Sequence, residues 1–134
     1  MEIIKSQKLK IVKIANHFQL KLIVVFGSFA SGKNRKDSDL DIGIIGSREV
    51  SFEDQIGLTN QLSLIFNKNV DLSVLNNANP LLLFQASNNA ILLYGSHQDF
   101  LKFKLYAFKS YHDYAPYFEM EKKLNKRIIK SYGA

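Results

Sequence analysis

A chain of 134 residues has the length of one domain, and 46% apolar residues describe a globular core and exclude a disordered composition. No apolar run reaches the roughly 18 residues that span a bilayer, and the absence of cysteine excludes a disulfide framework and a thiolate metal site. The net charge of +6 comes with fifteen lysines against three arginines. That balance suits a solvated basic surface better than a specific nucleic-acid reader, for which the bidentate arginine fork is the usual tool.

The N-terminal MEIIKSQKLK mixes Lys and Glu with apolar residues and lacks the apolar stretch and cleavage site of a signal peptide. A cytoplasmic protein without a membrane partner is therefore expected. Ile11, Ile14, Ala15 and Phe18 recur at helical spacing, which predicts an amphipathic helix over residues 2–18. Leu22 to Phe26 is a β-branched run, the pattern of a buried strand. It ends at Gly27-Ser28, which is expected to open a helix. Residues 32–38, GKNRKDS, read as a turn. Leu40, Ile42 and Ile44 alternate with Asp39, Asp41 and Gly43 at strand period.

Phe52, Ile56, Leu62, Ile65 and Phe66 outline a helix whose face Leu58 and Leu64 blur. Val70, Leu72 and Val74 give a third strand, and Asn79-Pro80 can start a helix. Ile91 to Tyr94 reads as a short edge strand. Residues 97–112 look helical, Pro116 interrupts the pattern, and Tyr117, Met120, Leu124 and Ile128 resume it. Strands alternating with helices predict an α/β or α+β domain with helices packed on a sheet.

Three pieces of this chain carry chemistry. Asp39 and Asp41 are two apart on a strand, so their side chains share a face. Two carboxylates held side by side repel one another, and a hard divalent cation such as Mg²⁺ relieves that conflict. Asp71 is the only carboxylate between Asp54 and Asp99. It stands in a run that otherwise reads as a buried strand, where an acid is costly unless it is paired or faces a site. If its strand lies beside that of Asp41, the three acids form one cluster. Gly27-Ser28 follows a strand, where Gly allows close backbone approach and a helix start favours phosphate. The alternatives are an edge-strand solvent face for Asp39 and Asp41, a surface acid for Asp71, and a helix start with Ser28 as its N-cap.

Gly27 to Ile45, GSFASGKNRKDSDLDIGII, resembles the nucleotidyltransferase signature G-S-x-A-x-G, a short spacer, then S-D-x-D-hydrophobic. That signature belongs to the DNA-polymerase-β-like superfamily, and the short length is similar to its minimal nucleotidyltransferase (MNT) group. The resemblance implies a small mixed sheet of the nucleotidyltransferase type within a single domain, residues 1–134. A core of about residues 20–95 and a C-terminal helical segment of about 97–131 would divide it. It further implies Asp39, Asp41 and Asp71 as catalytic and metal-binding residues with two Mg²⁺ ions, Gly27 and Ser28 as nucleotide-binding residues, and ATP as substrate.

Many members resemble antitoxins paired with HEPN-type RNase toxins. The expectation that follows is AMP transfer from ATP onto a tyrosine of a cognate HEPN-type toxin in a hetero-oligomer. A non-catalytic antitoxin that inhibits by binding and an aminoglycoside-type transferase are the alternatives. Many members carry Arg where this chain has Ser31; if that Arg serves the phosphates, either Lys33 or Arg35 substitutes for it or turnover is slower. HEPN toxins carry Arg-x₄₋₆-His, which follows none of Arg35, Arg48 and Arg127 here.

His17, His97 and His112 lack metal-ligand spacing and read as structural or surface groups. Tyr111, Tyr114 and Tyr117 have near-helical spacing that favours packing over base stacking. The aromatic, lysine-rich segment from Asp99 to Tyr132 suits either a docking surface or a cover for the sheet.

Overall fold

β-Branched side chains pack well on a pleated surface, and the two richest stretches become the central strands of the sheet. In the computed structural model, which describes residues 3–35 and 38–133, these are β1 (Leu20–Phe26) and β2 (Leu40–Gly46). The other elements are α1 (Lys5–His17), α2 (Gly27–Ser31), α3 (Phe52–Phe66), β3 (Val70–Val74), α4 (Pro80–Ser87), β4 (Ile91–Tyr94) and α5 (His97–Gly133). The strand order is β3-β2-β1-β4. β1 runs antiparallel to β2 and β4, whereas β2 and β3 are parallel. A parallel pair needs a crossover, and α3 supplies it. The sheet is thus mixed, as expected.

Alternation along the strands feeds two cores. On one face Ile23, Val25, Leu40, Ile42 and Ile44 pack with Ile11 and Ile14 of α1 and Leu58 and Leu62 of α3. On the other, Leu22, Val24 and Phe26 meet Leu83 and Ala86 of α4 and Phe103 and Ala107 of α5. Each fully buried aliphatic side chain contributes about 1.5–3 kcal/mol. Asp41 and Asp71 have the parity of this second face, opposite the buried Ile42 and the half-buried Leu72.

Local chemistry fixes the connections. Ser51 caps α3 by accepting from the Asp54 N–H at 3.1 Å. Asn79 caps α4 by accepting from Leu82 N–H at 2.9 Å, with Pro80 in the first turn. The Asn76 side chain accepts from Gly46 N–H and donates to Gly46 C=O, both at 2.9 Å. That pair of hydrogen bonds ties the end of β2 to the loop after β3, and so holds the two acid-bearing strands in register.

Four expectations change. α1 starts at Lys5, so residues 3 and 4 lie outside the helix, while Met1 and Glu2 fall outside the described residues. Leu58 and Leu62, not Phe52 and Ile56, face the core from α3, and Phe52 is 74% exposed. A blurred apolar face can dock in either of two rotations, and the sheet selects the one that buries more. β3 is an edge strand and Asp71 is exposed, so the carboxylate escapes the cost of burial by facing the site from the rim. Pro116 does not divide α5, which runs unbroken for 37 residues. The proline removes a bond to the His112 carbonyl at about 3 kcal/mol. His112 and Pro116 are both exposed, so water can satisfy that carbonyl. Of the turn at 32–38, Lys36 and Asp37 lie outside the described residues.

Candidate active site

The register of the parallel pair sets Asp41 directly beside Asp71. On its other side Asp41 pairs with Phe26, the last residue of β1, and so stands next to Gly27. Gly27 has φ +72°, and a Cβ there would run into the Asp41 carboxylate. Glycine is thus required twice, by the left-handed backbone and by the approach of the acid. The turn it begins, α2, spans only five residues and ends at Gly32 with φ 75°.

Ser28 occupies the second position of that turn and is not its N-cap, which is Phe26. The Ser28 carbonyl accepts from Lys33 N–H at 2.9 Å and from the Ser31 hydroxyl at 3.2 Å. Those bonds fold the GSFASGK segment back on itself and bring Ser31 and Lys33 to the rim of a cavity of about 600 Å³ that also holds Gly27, Asp41 and Asp71. Ser28 is half-buried behind this wall.

The Asp41 carboxyl is pushed above the usual aspartate range. Burial is the largest cause, followed by the charge of Asp71, the charge of Asp39 and a hydrogen bond shared with Asp71. Asp41 therefore senses both of the other acids. Asp41 and Asp71 share a cavity. Asp39 is exposed just before β2 and lines a neighbouring groove of about 740 Å³ with Asn60, Asn67 and Lys68.

Among the described residues no three His, Cys, Asp or Glu side chains close into a metal cage. A buried zinc-type site does not fit. An open set of carboxylates with unresolved repulsion fits Mg²⁺, which keeps waters and substrate phosphates in its shell.

Sequence reasoning missed the opposite wall of this cavity. Leu82 and Gln85 of α4 and Asn88 and Asn89 after it face the same space, while Ser73 of β3 lines it from the side of Asp71. No spacing in the sequence links the residues in and after α4 to Asp41, because only the packing of α4 on the second face of the sheet brings them there; Ser73, two residues beyond Asp71, shares its face by strand period.

The sequence profile of the family described as "Polymerase beta, Nucleotidyltransferase" matches residues 9–99, which include Gly27, both acids of the D-x-D pair and Asp71. The chain belongs to this nucleotidyltransferase family. Protein adenylyltransferase MntA of Shewanella oneidensis is 30% identical over 92 residues, covering 67% of this chain and 66% of that relative. The match thus spans slightly less than two thirds of the relative's length. Two solved structures share the fold of this nucleotidyltransferase over nearly its whole length. One, a toxin–antitoxin crystal structure with AMP-PNP, has a TM-score of 0.67 at 24% identity, covering 95% of this chain and 98% of the other. The second, a tri-AMPylated Shewanella oneidensis HEPN toxin in complex with MNT antitoxin, has a TM-score of 0.62 at 22% identity, covering 97% and 98%. The similarity to both extends beyond the family-matched region to α5.

Proposed function

We propose that this nucleotidyltransferase is the antitoxin of a toxin–antitoxin pair and transfers AMP from ATP onto a tyrosine hydroxyl of a cognate HEPN-type RNase toxin, with which it forms a hetero-oligomer. The observation that carries the reading is the pairing of Asp41 with Asp71 across the parallel strands, beside the Gly27 turn. The protein adenylyltransferase name of the Shewanella relative supports the protein acceptor. The AMP-PNP complex and the AMPylated toxin among the fold relatives support the nucleotide and the partner.

In this reading Gly27, Ser31 and Lys33 hold the triphosphate, with backbone N–H groups of the turn, that of Ser28 among them, and the Lys33 ammonium as donors. Asp39, Asp41 and Asp71 would hold Mg²⁺, whose chemistry there would be to neutralise charge developing at the transferred phosphorus. Asp71, open on the edge strand, accepts the phenolic proton. The phenolic oxygen forms a bond to the α-phosphorus, the bond from that phosphorus to the bridging oxygen breaks, and pyrophosphate leaves. Lys33 takes the place at the phosphates that Ser31 vacates in lacking the usual Arg.

The test is intact-mass measurement of the partner toxin after incubation with this protein, ATP and Mg²⁺. Mass gains in AMP units, lost when the modified tyrosine becomes Phe, are expected. An unmodified toxin that is inhibited on mixing overturns the transfer reading. That outcome favours neutralisation by contact, for which the apolar residues exposed along α5 are the supporting observation.

A further inference from the structure

The wall opposite the carboxylates has chemistry of its own. Gln85, on the last turns of α4, and Asn88 and Asn89, in the turn to β4, are exposed side chains that border the cavity of Asp41 and Asp71. Among the described residues, none of the three amide groups forms a hydrogen bond to another part of the chain. Leu82, three residues before Gln85 on α4, adds the half-buried apolar surface of this wall. The backbone beneath is fixed: Asn88 N–H donates to Phe84 C=O at 3.1 Å, Ala90 N–H donates to Ser87 C=O at 3.3 Å, and Asn89 holds φ 58°. Ala86, between the amides, is fully buried against the sheet, so α4 cannot turn this face away.

We propose that Gln85 and Asn88, with Asn89 beside them, bind the nucleobase and make the site prefer adenine. The inference rests on the proposed nucleotide transfer and deepens it by naming what reads the base. Its geometry follows from that of the reaction. Attacking and leaving oxygens must lie in line across the phosphorus. The leaving pyrophosphate lies toward the Gly27 turn and Lys33, and the acceptor enters from the open edge at Asp71. The ribose and base then extend in the remaining direction, toward α4. A cavity of about 600 Å³ is large enough for a nucleotide.

A carboxamide carries both donor and acceptor, and pairs bidentately with N6 and N7 of adenine. On the same edge guanine presents two acceptors, which suit Arg or Lys instead. Leu82 offers the apolar surface that a base plane covers. A site whose polar groups are left unpaired by the wrong base discriminates against it.

The experiment is calorimetric titration of the whole protein, in Mg²⁺, with ATP, GTP, CTP, UTP and inorganic triphosphate. Wild type, Gln85→Met and Asn88→Leu are compared, and circular dichroism establishes that each variant is folded. Both residues are exposed and both replacements keep the side-chain length close to the original. Wild type is expected to bind ATP at least tenfold more tightly than the other three nucleotides. Each variant should lose that preference by about tenfold, while its affinity for inorganic triphosphate stays that of wild type. Variants that keep the wild-type preference for ATP overturn the proposal, as does a wild type that binds all four nucleotides equally. Both of those outcomes leave nucleotide transfer standing. A wild type that binds neither nucleotide nor triphosphate overturns the transfer reading as well.

Discussion

The sheet and the distal half of α5 draw on the same kinds of apolar side chain and treat them in opposite ways. Ile23, Val24, Val25, Ile42 and Ile44 are completely buried between two layers of helices. Tyr117, Met120, Leu124, Ile128 and Tyr132 also recur at spacings of three and four, yet all five are exposed. At 1.5 Å per residue, the 37 residues of α5 extend about 55 Å. Only the first turns, at Phe103 and Ala107, reach the sheet, and Tyr111 stacks on Phe84 of α4 at 4.0 Å. Beyond that the described chain offers the stripe nothing to bury against. Periodicity therefore marks which residues share a face, but only a counterpart surface decides whether that face becomes core. The distal stripe lies beside Lys122, Lys123, Lys126, Arg127 and Lys130, a combination that suits an acidic protein partner.

The sharpest contrast between the regions lies in chemistry. Asp41→Asn is expected to lower AMP transfer by about 100-fold or more, because a lost ligand misplaces the reacting phosphorus. Asp39→Asn should act in the same direction, and both should leave the fold intact. Transfer assays at saturating Mg²⁺ check this, and near-wild-type rates in either variant contradict the assignment.

The same substitution has a pH signature. Asp41 has a raised pKa in the fold, so its ionised form is the disfavoured one. The penalty on the metal-free fold is complete above that pKa and relieved as pH falls through it. Asp41→Asn should therefore melt above wild type at about pH 7 in EDTA, with the gap narrowing toward about pH 4. A gap that widens in acid contradicts the burial and repulsion described for Asp41.

Asp71→Asn separates binding from chemistry. The variant should lose turnover while keeping ATP affinity within a few-fold of wild type, since Asp71 is assigned the acceptor's proton. Titration and single-turnover kinetics decide between this and a role in nucleotide binding.

Next in size are the packing effects that set the sheet against the helix. Ile42→Ala should destabilise the isolated protein by about 2–5 kcal/mol. Leu124→Ala should change it by less than about 0.5 kcal/mol and instead weaken the complex with the toxin. Denaturant melts and a pull-down with the partner measure the two halves of this claim. A large loss of stability for Leu124→Ala in the isolated chain would mean that the stripe packs within the chain itself.

At the phosphate turn the backbone and the side chain should differ in weight. Gly27→Val forces a β-branched residue to positive φ and into Asp41, a backbone strain of about 1–3 kcal/mol that should also abolish ATP binding. Ser28→Ala should weaken ATP binding by no more than about 1–2 kcal/mol, since Ser28 does not line the cavity and at most one hydrogen bond to a charged group is lost. Titration ranks the pair, and equal affinities for Gly27→Val and wild type would remove the turn from the nucleotide site.

Much of this molecule was legible from local pattern. The run at Leu22–Phe26 is β-branched and short, the pattern of a buried strand, and Leu40–Ile44 alternates at strand period. Asp39 and Asp41 share a face by strand period. Asn79-Pro80 marks a helix start through its own backbone preferences. The strand order was not legible, because hydrogen bonding between strands depends on partners distant in sequence. That order makes β3 an edge strand, and so leaves Asp71 exposed beside Asp41.

Which face of α3 turns inward was likewise open, since Leu58 and Phe52 are equally apolar and only the shape of the sheet distinguishes them. Pro116 misled because proline's cost in a helix is local and finite, and a solvated helix can bear it. What the sequence alone determined, then, is the set of elements and the acids they carry, because propensity, period and turn chemistry act over a few residues. What only the tertiary structure decided is the company those acids keep: the Gly27 backbone pressed against Asp41, Asp71 across the parallel pair, and the amides of α4 opposite. Residues about fifty positions apart meet there because burying both faces of one sheet leaves the helices few other places to pack.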